Sequence, residues 1–178
     1  MIAKIRPALW PDDLAAIGEL DRSFVTDRLY RPRRGELSFQ LVEETAASPI
    51  HKVYALDLEE RAMWDCALVA EDRQGVMGFA AAQVAAWNRR VVIQHLYVAS
   101  RARGKGAGTQ LLDGLESFAR AVSARCLWLE TQNINHPAIQ FYRRAGFQFC
   151  GYDDSLYDPA SLEQEEIALY FQRPISQK

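Results

Sequence analysis

The chain is short of the residues that metal sites and disulfide frameworks need. Its 178 residues hold 3 cysteines and 3 histidines. The odd cysteine set, Cys66, Cys126 and Cys150, lies inside apolar runs and is expected to supply buried thiols in a reducing compartment rather than disulfides. His51, His95 and His136 are too scattered for zinc ligation, so no metal is expected. Charge of one sign is missing as well. The formal net charge of −2 argues against a nucleic-acid partner, although Arg28, Arg31, Arg33 and Arg34 cluster; with Asp27 and Glu36 beside them they read as a solvated loop or helix end. No long hydrophobic run exists. The longest, residues 76–87, contains Gln83 and is too short for a bilayer, and Met1–Pro7 lacks the apolar core of a signal peptide. A cytoplasmic protein with no membrane partner is expected, as a monomer or homodimer. A composition of 49% hydrophobic and 25% charged residues suits a folded globule, and with no repeat or linker residues 1–178 are expected to form a single domain.

Against these absences stands the segment Leu96-Tyr97-Val98-Ala99-Ser100-Arg101-Ala102-Arg103-Gly104-Lys105-Gly106-Ala107-Gly108-Thr109. An apolar strand breaks into a basic, glycine-rich turn, and a helix follows with Leu111, Leu112, Leu115, Phe118, Ala119 and Val122 on one face. Glycines at alternate positions let successive amides converge on an anion, and the helix start adds its dipole. Arg101, Arg103 and Lys105 add positive charge, so the favoured guest is a diphosphate. The spacing fits no nucleotide P-loop, because Gly106 follows Lys105 where a hydroxyl residue belongs. It fits no dinucleotide fingerprint either, whose third glycine would fall at Thr109. A tight turn without a ligand is the alternative.

The rest reads as a mixed α/β chain. A strand is expected over 2–8, then a helix opened by Pro11-Asp12-Asp13 with Leu14, Ile17, Leu20 and Phe24 as its stripe. A short helix over 38–46 and a strand near 52–56 follow. Residues 36–62 are the least legible, and acceptor specificity is expected there, as on loops carried by a rigid scaffold. Cys66–Glu71 and Val76–Ala86 read as a hairpin. Val91–Val98, apolar on both faces apart from Gln94 and His95, and Arg125–Gln132 read as central strands. Asn135 caps a helix through Ala145, with Pro137 in its first turn. Strands over 147–153 and 166–173 close the fold.

Arg103-x-x-Gly106-x-Gly108 resembles the acetyl-CoA pyrophosphate motif of the GNAT superfamily of N-acetyltransferases. Asn135-x-x-Ala138-x-x-x-Tyr142-x-x-x-Gly146-Phe147 resembles that superfamily's later helix and the strand after it. Within the superfamily, Leu129-Glu130-Thr131-Gln132, Phe141-Tyr142, Gly146-Phe147, Asp153, Leu156-Tyr157 and Trp87-Asn88-Arg89 are similar to the streptothricin acetyltransferases. Gln94 and His95 depart, standing where those enzymes carry acidic residues. The resemblance runs from Trp64 to the C-terminus and is loose before that. It implies a central mixed, mostly antiparallel sheet of about six or seven strands flanked by helices, with two central parallel strands splayed to admit acetyl-CoA. It implies acetyl-CoA as co-substrate, held along the backbone of Leu96, Tyr97 and Val98. At the pyrophosphate it implies Arg103, Gly104, Lys105, Gly106, Ala107, Gly108 and Thr109, with Asn135 and Tyr142 beyond. The implied activity is acetyl transfer to a primary amine of a small cationic molecule, with a streptothricin-type antibiotic as acceptor and antibiotic resistance as the outcome. The alternatives are a protein N-terminal or lysine acetyltransferase, and a CoA-binding module without catalysis.

In that framework Tyr142 is implied as the acid that protonates the leaving sulfur, with simple packing against Ala138 as its alternative. Two candidate bases emerge. Glu130 lies on a strand flanking the slot, and His95 has an ordinary pKa of about 6.5; a histidine in an apolar strand also serves as a core residue. Glu130 and Asp153 are the carboxylates expected to bind a cationic acceptor.

Overall fold

Six consecutive residues, Met77–Ala82, are buried in one strand. A strand covered on both faces loses its polar–apolar alternation, and here glycine and three alanines keep both coverings close. The computed structural model describes residues 3–56, 58, 62–161 and 165–175. Its strands are β1 (Lys4–Pro7), β2 (Ser23–Arg34), β3 (Phe39–Val53), β4 (Cys66–Asp72), β5 (Gly75–Ala85), β6 (Arg90–Val98), β7 (Cys126–Gln132), β8 (Gln148–Asp153) and β9 (Ala168–Pro174). The helices are α1 (Leu14–Gly18), α2 (Ala107–Ala121) and α3 (His136–Arg144). A seven-stranded sheet runs in the order β1-β4-β5-β6-β7-β9-β8, and β2 and β3 form a separate two-stranded sheet. The pairing is mostly antiparallel, with β6 and β7 parallel. The mixed α/β sheet expected from the sequence is therefore present.

The chain divides into two compact units. The first comprises Met1–Arg22, Tyr54–Leu129 and Arg173–Lys178. In it α2 covers one face of the sheet with Leu111, Leu112, Leu115 and Ala119, all fully buried. Two glycines set how near it comes: a Cβ on Gly114 would meet Leu68 Cδ1 at 2.7 Å, and one on Gly78 would meet Leu111 Cδ1 at 3.0 Å. Elsewhere in this unit Ile17 and Leu20 pack with Val69, Phe79 and Ala81. The β4–β5 hairpin falls where the sequence predicts it.

The second unit comprises Ser23–Val53 and Glu130–Gln172, and here two expectations are overturned. Phe24, assigned to the first helix, lies in β2, and α1 stops at Gly18. Residues 38–46 are not a helix but part of the fifteen-residue strand β3, which ends at Val53, so 54–56 add no strand. The reason is non-local: β2 and β3 pair over most of their length, and the arginine cluster lies along strand β2, divided between its two faces, rather than in a loop. Arg28 pairs with Glu43 at 2.6 Å, Arg33 with Glu44 at 2.5 Å and Arg31 with Glu44 at 3.4 Å. Cross-strand pairs of this kind override local helical periodicity. Ile2, where the first strand was expected to start, lies outside the described residues. Among the three cysteines, all free, Cys126 is buried and Cys66 half-buried, but Cys150 is exposed on β8, against the expectation of a buried thiol.

Candidate active site

In the first unit the central feature is β6. Its parallel ladder with β7 runs from Arg90–Cys126 to Ile93–Leu129 and stops there. On its other side the ladder with β5 continues to Val98, interrupted by a bulge: Ala82 faces Ile93 and Ala81 faces His95, so Gln94 is the extra residue. Beyond Ile93 the strand is paired, among the described residues, on the β5 side alone; the Ala99 amide bonds Met77 O, so by alternation the Tyr97 backbone faces β5 and the Leu96 and Val98 backbone points away from it, with the Val98 N–H open to a ligand.

A short 3-10 turn, Ser100–Ala102, connects β6 to the glycine-rich turn. Gly104 has φ +72° and Gly106 φ +90°, left-handed conformations that L side chains adopt only with strain. Gly106 is the N-cap of α2 and no side chain caps the helix. The first amide of the helix to find an internal acceptor is that of Gln110, bonded to Gly106 O at 3.0 Å. The amides of Ala107, Gly108 and Thr109 have no such partner among the described residues, which makes a helix-start anion site. The charges are arranged otherwise than expected. Arg101 pairs with Asp72 at 2.7 Å, and Arg103 donates to Val98 O at 3.0 Å and to Asp21 O at 3.0 Å. Both guanidiniums brace the turn, and Lys105, exposed and without an ion pair among the described residues, is the cation left to face a diphosphate. The residues fit that group: open amides, two left-handed glycines and one lysine.

His95 lies among rings, with Trp64 at 5.0 Å, Tyr97 at 5.7 Å and Phe79 at 6.4 Å between centroids, and its Nδ1 is 3.4 Å from the Tyr97 hydroxyl. Burial pushes the Tyr97 phenol up. The surroundings of His95 are those of a packed core residue.

The second unit holds the other candidate residues, beginning with Glu130 at the end of β7. Glu130 is half-buried. Burial, with the charge of Glu166 adding to it, raises its proton affinity above the usual carboxylate range, while a hydrogen bond from the Tyr157 hydroxyl to Oε1 opposes the rise. Glu166 is itself buried and paired with Lys52 Nζ at 2.5 Å. A carboxylate so held binds a proton more readily than an exposed one. Tyr142, 8% exposed, lies on α3 with its ring 5.5 Å from Phe141 and 5.6 Å from Phe147. Asn135 caps α3 as expected, accepting from Ala138 N at 3.2 Å. Asp153 makes a local turn: its Oδ1 accepts from Ser155 N at 2.8 Å and Ser155 Oγ at 2.7 Å. Those bonds hold its carboxyl below the ordinary range and build the turn that leads to Tyr157.

Four contacts were not legible beforehand. Asn133, buried, donates to Tyr30 O and accepts from Ile167 N, each at 2.9 Å. The Lys52–Glu166 pair and the Tyr157–Glu130 bond likewise join residues far apart in sequence; resemblance marked Tyr157 but gave it no role. Among the described residues no three His, Cys, Asp or Glu side chains gather to hold a metal ion, and no helix is long and apolar enough to cross a membrane.

Comparison with known proteins completes the picture. A streptothricin acetyltransferase of Streptomyces lavendulae is 40% identical over 173 residues, covering 92% of this chain and 91% of that one. One from Escherichia coli is 24% identical over 90% of this chain and 91% of its own. A crystal structure of nourseothricin acetyltransferase superposes with a TM-score of 0.88 at 36% identity, over 99% of this chain and 100% of the other. A Bacillus anthracis protein crystallised with acetyl coenzyme A has the same fold, with a TM-score of 0.82 at 24% identity over 97% and 99% of the two chains. Acetyl-CoA is the acetyl donor of this family of enzymes. Residues 33–147 match the acetyltransferase (GNAT) family, and with 40% identity to a relative across nearly the whole length the chain belongs to that family and is an N-acetyltransferase.

Proposed function

We propose that the protein acetylates a primary amine of a streptothricin-type antibiotic, as a single domain over residues 1–178 working in the cytoplasm. The observation that carries this reading is the 40% identity with the Streptomyces lavendulae streptothricin acetyltransferase. The half-buried Glu130 supports it, because an acceptor rich in ammonium groups needs a carboxylate that attracts a cation and takes one proton.

Acetyl-CoA supplies an acyl group activated as a thioester. Lys105 and the amides from Gly106 to Thr109 hold the diphosphate, with Arg103 and Gly104 shaping the turn. The β6 backbone at Leu96 and Val98 aligns the pantetheine arm, with Tyr97 between them bonded to β5, and the Val98 N–H stabilises the oxyanion. Asn135 fixes the start of α3 and so the placement of Tyr142. Glu130 accepts a proton from the acceptor's ammonium group, and the neutral amine attacks. As the C–S bond breaks, Tyr142 gives its phenolic proton to the departing sulfur, and the proton lost by the attacking nitrogen as it becomes the amide restores the phenol through solvent. His95 takes no proton in this scheme, and direct attack of an amine on a thioester requires no metal.

Incubation of purified protein with acetyl-CoA and streptothricin, followed by mass spectrometry, tests the proposal. One added acetyl group on the antibiotic's β-lysine arm is the expected product. Acetylated peptide N-termini with unmodified antibiotic would replace the acceptor by a protein, and coenzyme binding without any turnover would leave a non-catalytic module.

A further inference from the structure

Glu130 belongs to β7, but the group that touches it comes from the segment after β8. There the Asp153 carboxylate gathers Ser155 through its amide at 2.8 Å and its hydroxyl at 2.7 Å, turning the chain so that Tyr157 comes back over the strand and donates its hydroxyl hydrogen to Glu130 Oε1. At the very next residue, Asp158 accepts from Ala160 N at 2.9 Å and begins a further turn. Tyr157 is therefore held between two carboxylate-capped turns, which limits the positions its phenol can take.

We infer that Tyr157 is the positioning residue for Glu130: its phenol occupies Oε1, fixes the rotamer of the carboxylate and leaves Oε2 to take the acceptor's proton. This inference rests on the assignment of Glu130 as the base. Tyr157 itself neither gains nor loses a proton in the cycle; the proton moves from the acceptor's ammonium nitrogen to Oε2, and later from Oε2 to water. A donor at Oε1 also favours the ionised carboxylate, the form that works as a base. The other groups acting on Glu130 are Glu166, which opposes ionisation and carries Lys52 as its counter-ion, and the Tyr170 phenol on β9.

The test is the pH profile of kcat/KM for streptothricin acetylation by the full chain, in the wild type, Tyr157→Phe and Glu130→Gln. Loss of the phenol removes a bond to a charged group, so the acid limb should move up by about one to two pH units. The alkaline plateau, where Glu130 is ionised with or without Tyr157, should fall by less than the rate at low pH. Glu130→Gln should abolish the limb. A limb unmoved in Tyr157→Phe but absent in Glu130→Gln overturns the role of Tyr157 and leaves Glu130 as base. A limb that persists in Glu130→Gln overturns the base assignment, and the positioning role with it. Carbon-13 titration of the Glu130 carboxyl gives the same answer without turnover: its midpoint should rise in Tyr157→Phe, and an unchanged midpoint refutes the inference.

Discussion

Arg103 donates to the main-chain oxygen of Asp21 at 3.0 Å and reaches its carboxylate at 3.4 Å, while Ser100 Oγ donates to the same carboxylate. Asp21 thus ties down both ends of the stretch that leads into Gly104. Asp21→Ala removes the carboxylate contacts to Ser100 and Arg103 while leaving Arg103 its bonds to main-chain oxygens, so the stretch loosens and the coenzyme must order it further on binding. Because the ion pair is exposed and screened, the effect is moderate: the Kd for acetyl-CoA should rise about three- to tenfold by calorimetry. A Kd within twofold of wild type would show that the cradle keeps its shape without Asp21.

Replacing Tyr142 by Phe keeps the ring contacts with Phe141 and Phe147 and removes one hydroxyl. If that hydroxyl protonates the departing sulfur, turnover falls about 10²–10⁴-fold while coenzyme affinity stays unchanged. Single-turnover measurements isolate the chemical step. Full activity there would leave Tyr142 as a packing residue.

At Asp153 two conservative changes separate charge from turn geometry. Asp153→Asn retains a side-chain oxygen for the Ser155 amide and hydroxyl, so kcat/KM for the acceptor should change less than about tenfold. Asp153→Ala loses that acceptor, loosens the segment carrying Tyr157 and should cost more. A larger loss in the asparagine variant, seen as a raised acceptor KM, would instead mark Asp153 as a direct ammonium ligand.

Stability in acid depends on a pair far from the chemistry. The Asp13 carboxylate accepts from Arg6 at 2.6 and 2.8 Å and from Leu9 N at 2.7 Å, and the Arg6 bonds hold it below the ordinary carboxylate range, against the effect of burial. Its folded value lies below its unfolded value of about 3.9. The stabilisation is therefore complete above the unfolded value and disappears as pH falls through the folded one. Asp13→Asn should lose about 1–3 kcal/mol at neutral pH and flatten the fall of the thermal midpoint in acid. A variant as acid-sensitive as the wild type would place the sensitivity elsewhere.

The most legible parts of the sequence were those whose structure is set locally. The left-handed glycines, the Asn135 cap and the apolar stripe of α2 need only neighbours a few residues away, and each lies where the pattern places it. The β2–β3 sheet was misread because Phe24, Phe39 and Val42 have spacings that suit either a helix or a strand, and the deciding partners are a strand away. The candidate site divides in the same manner. Glu130 and Tyr142 were legible as residues, but the roles of Arg103 and Asp153 were not, since Asp21 and Ser155 decide them by hydrogen bonds that no periodicity announces.

The extra residue at Gln94 bulges β6 one position after its last pair with β7. Facing Ala81 and Ala82, His95 and Ile93 already have the alternation of a regular ladder once Gln94 is left out of the count. Deleting it would keep every cross-strand pair with β5 and every side chain on its present face, while removing the kink and added twist that a bulge brings to its strand. The shortened protein is expected to melt at a higher temperature and to acetylate more slowly, since β6 would run straight through the point where its pairing with β7 now ends. If the bulge bends β6 away from β7, removal of Gln94 gives a sturdier protein and a poorer enzyme, and a deletion variant as active as the wild type would show that the bend is not needed.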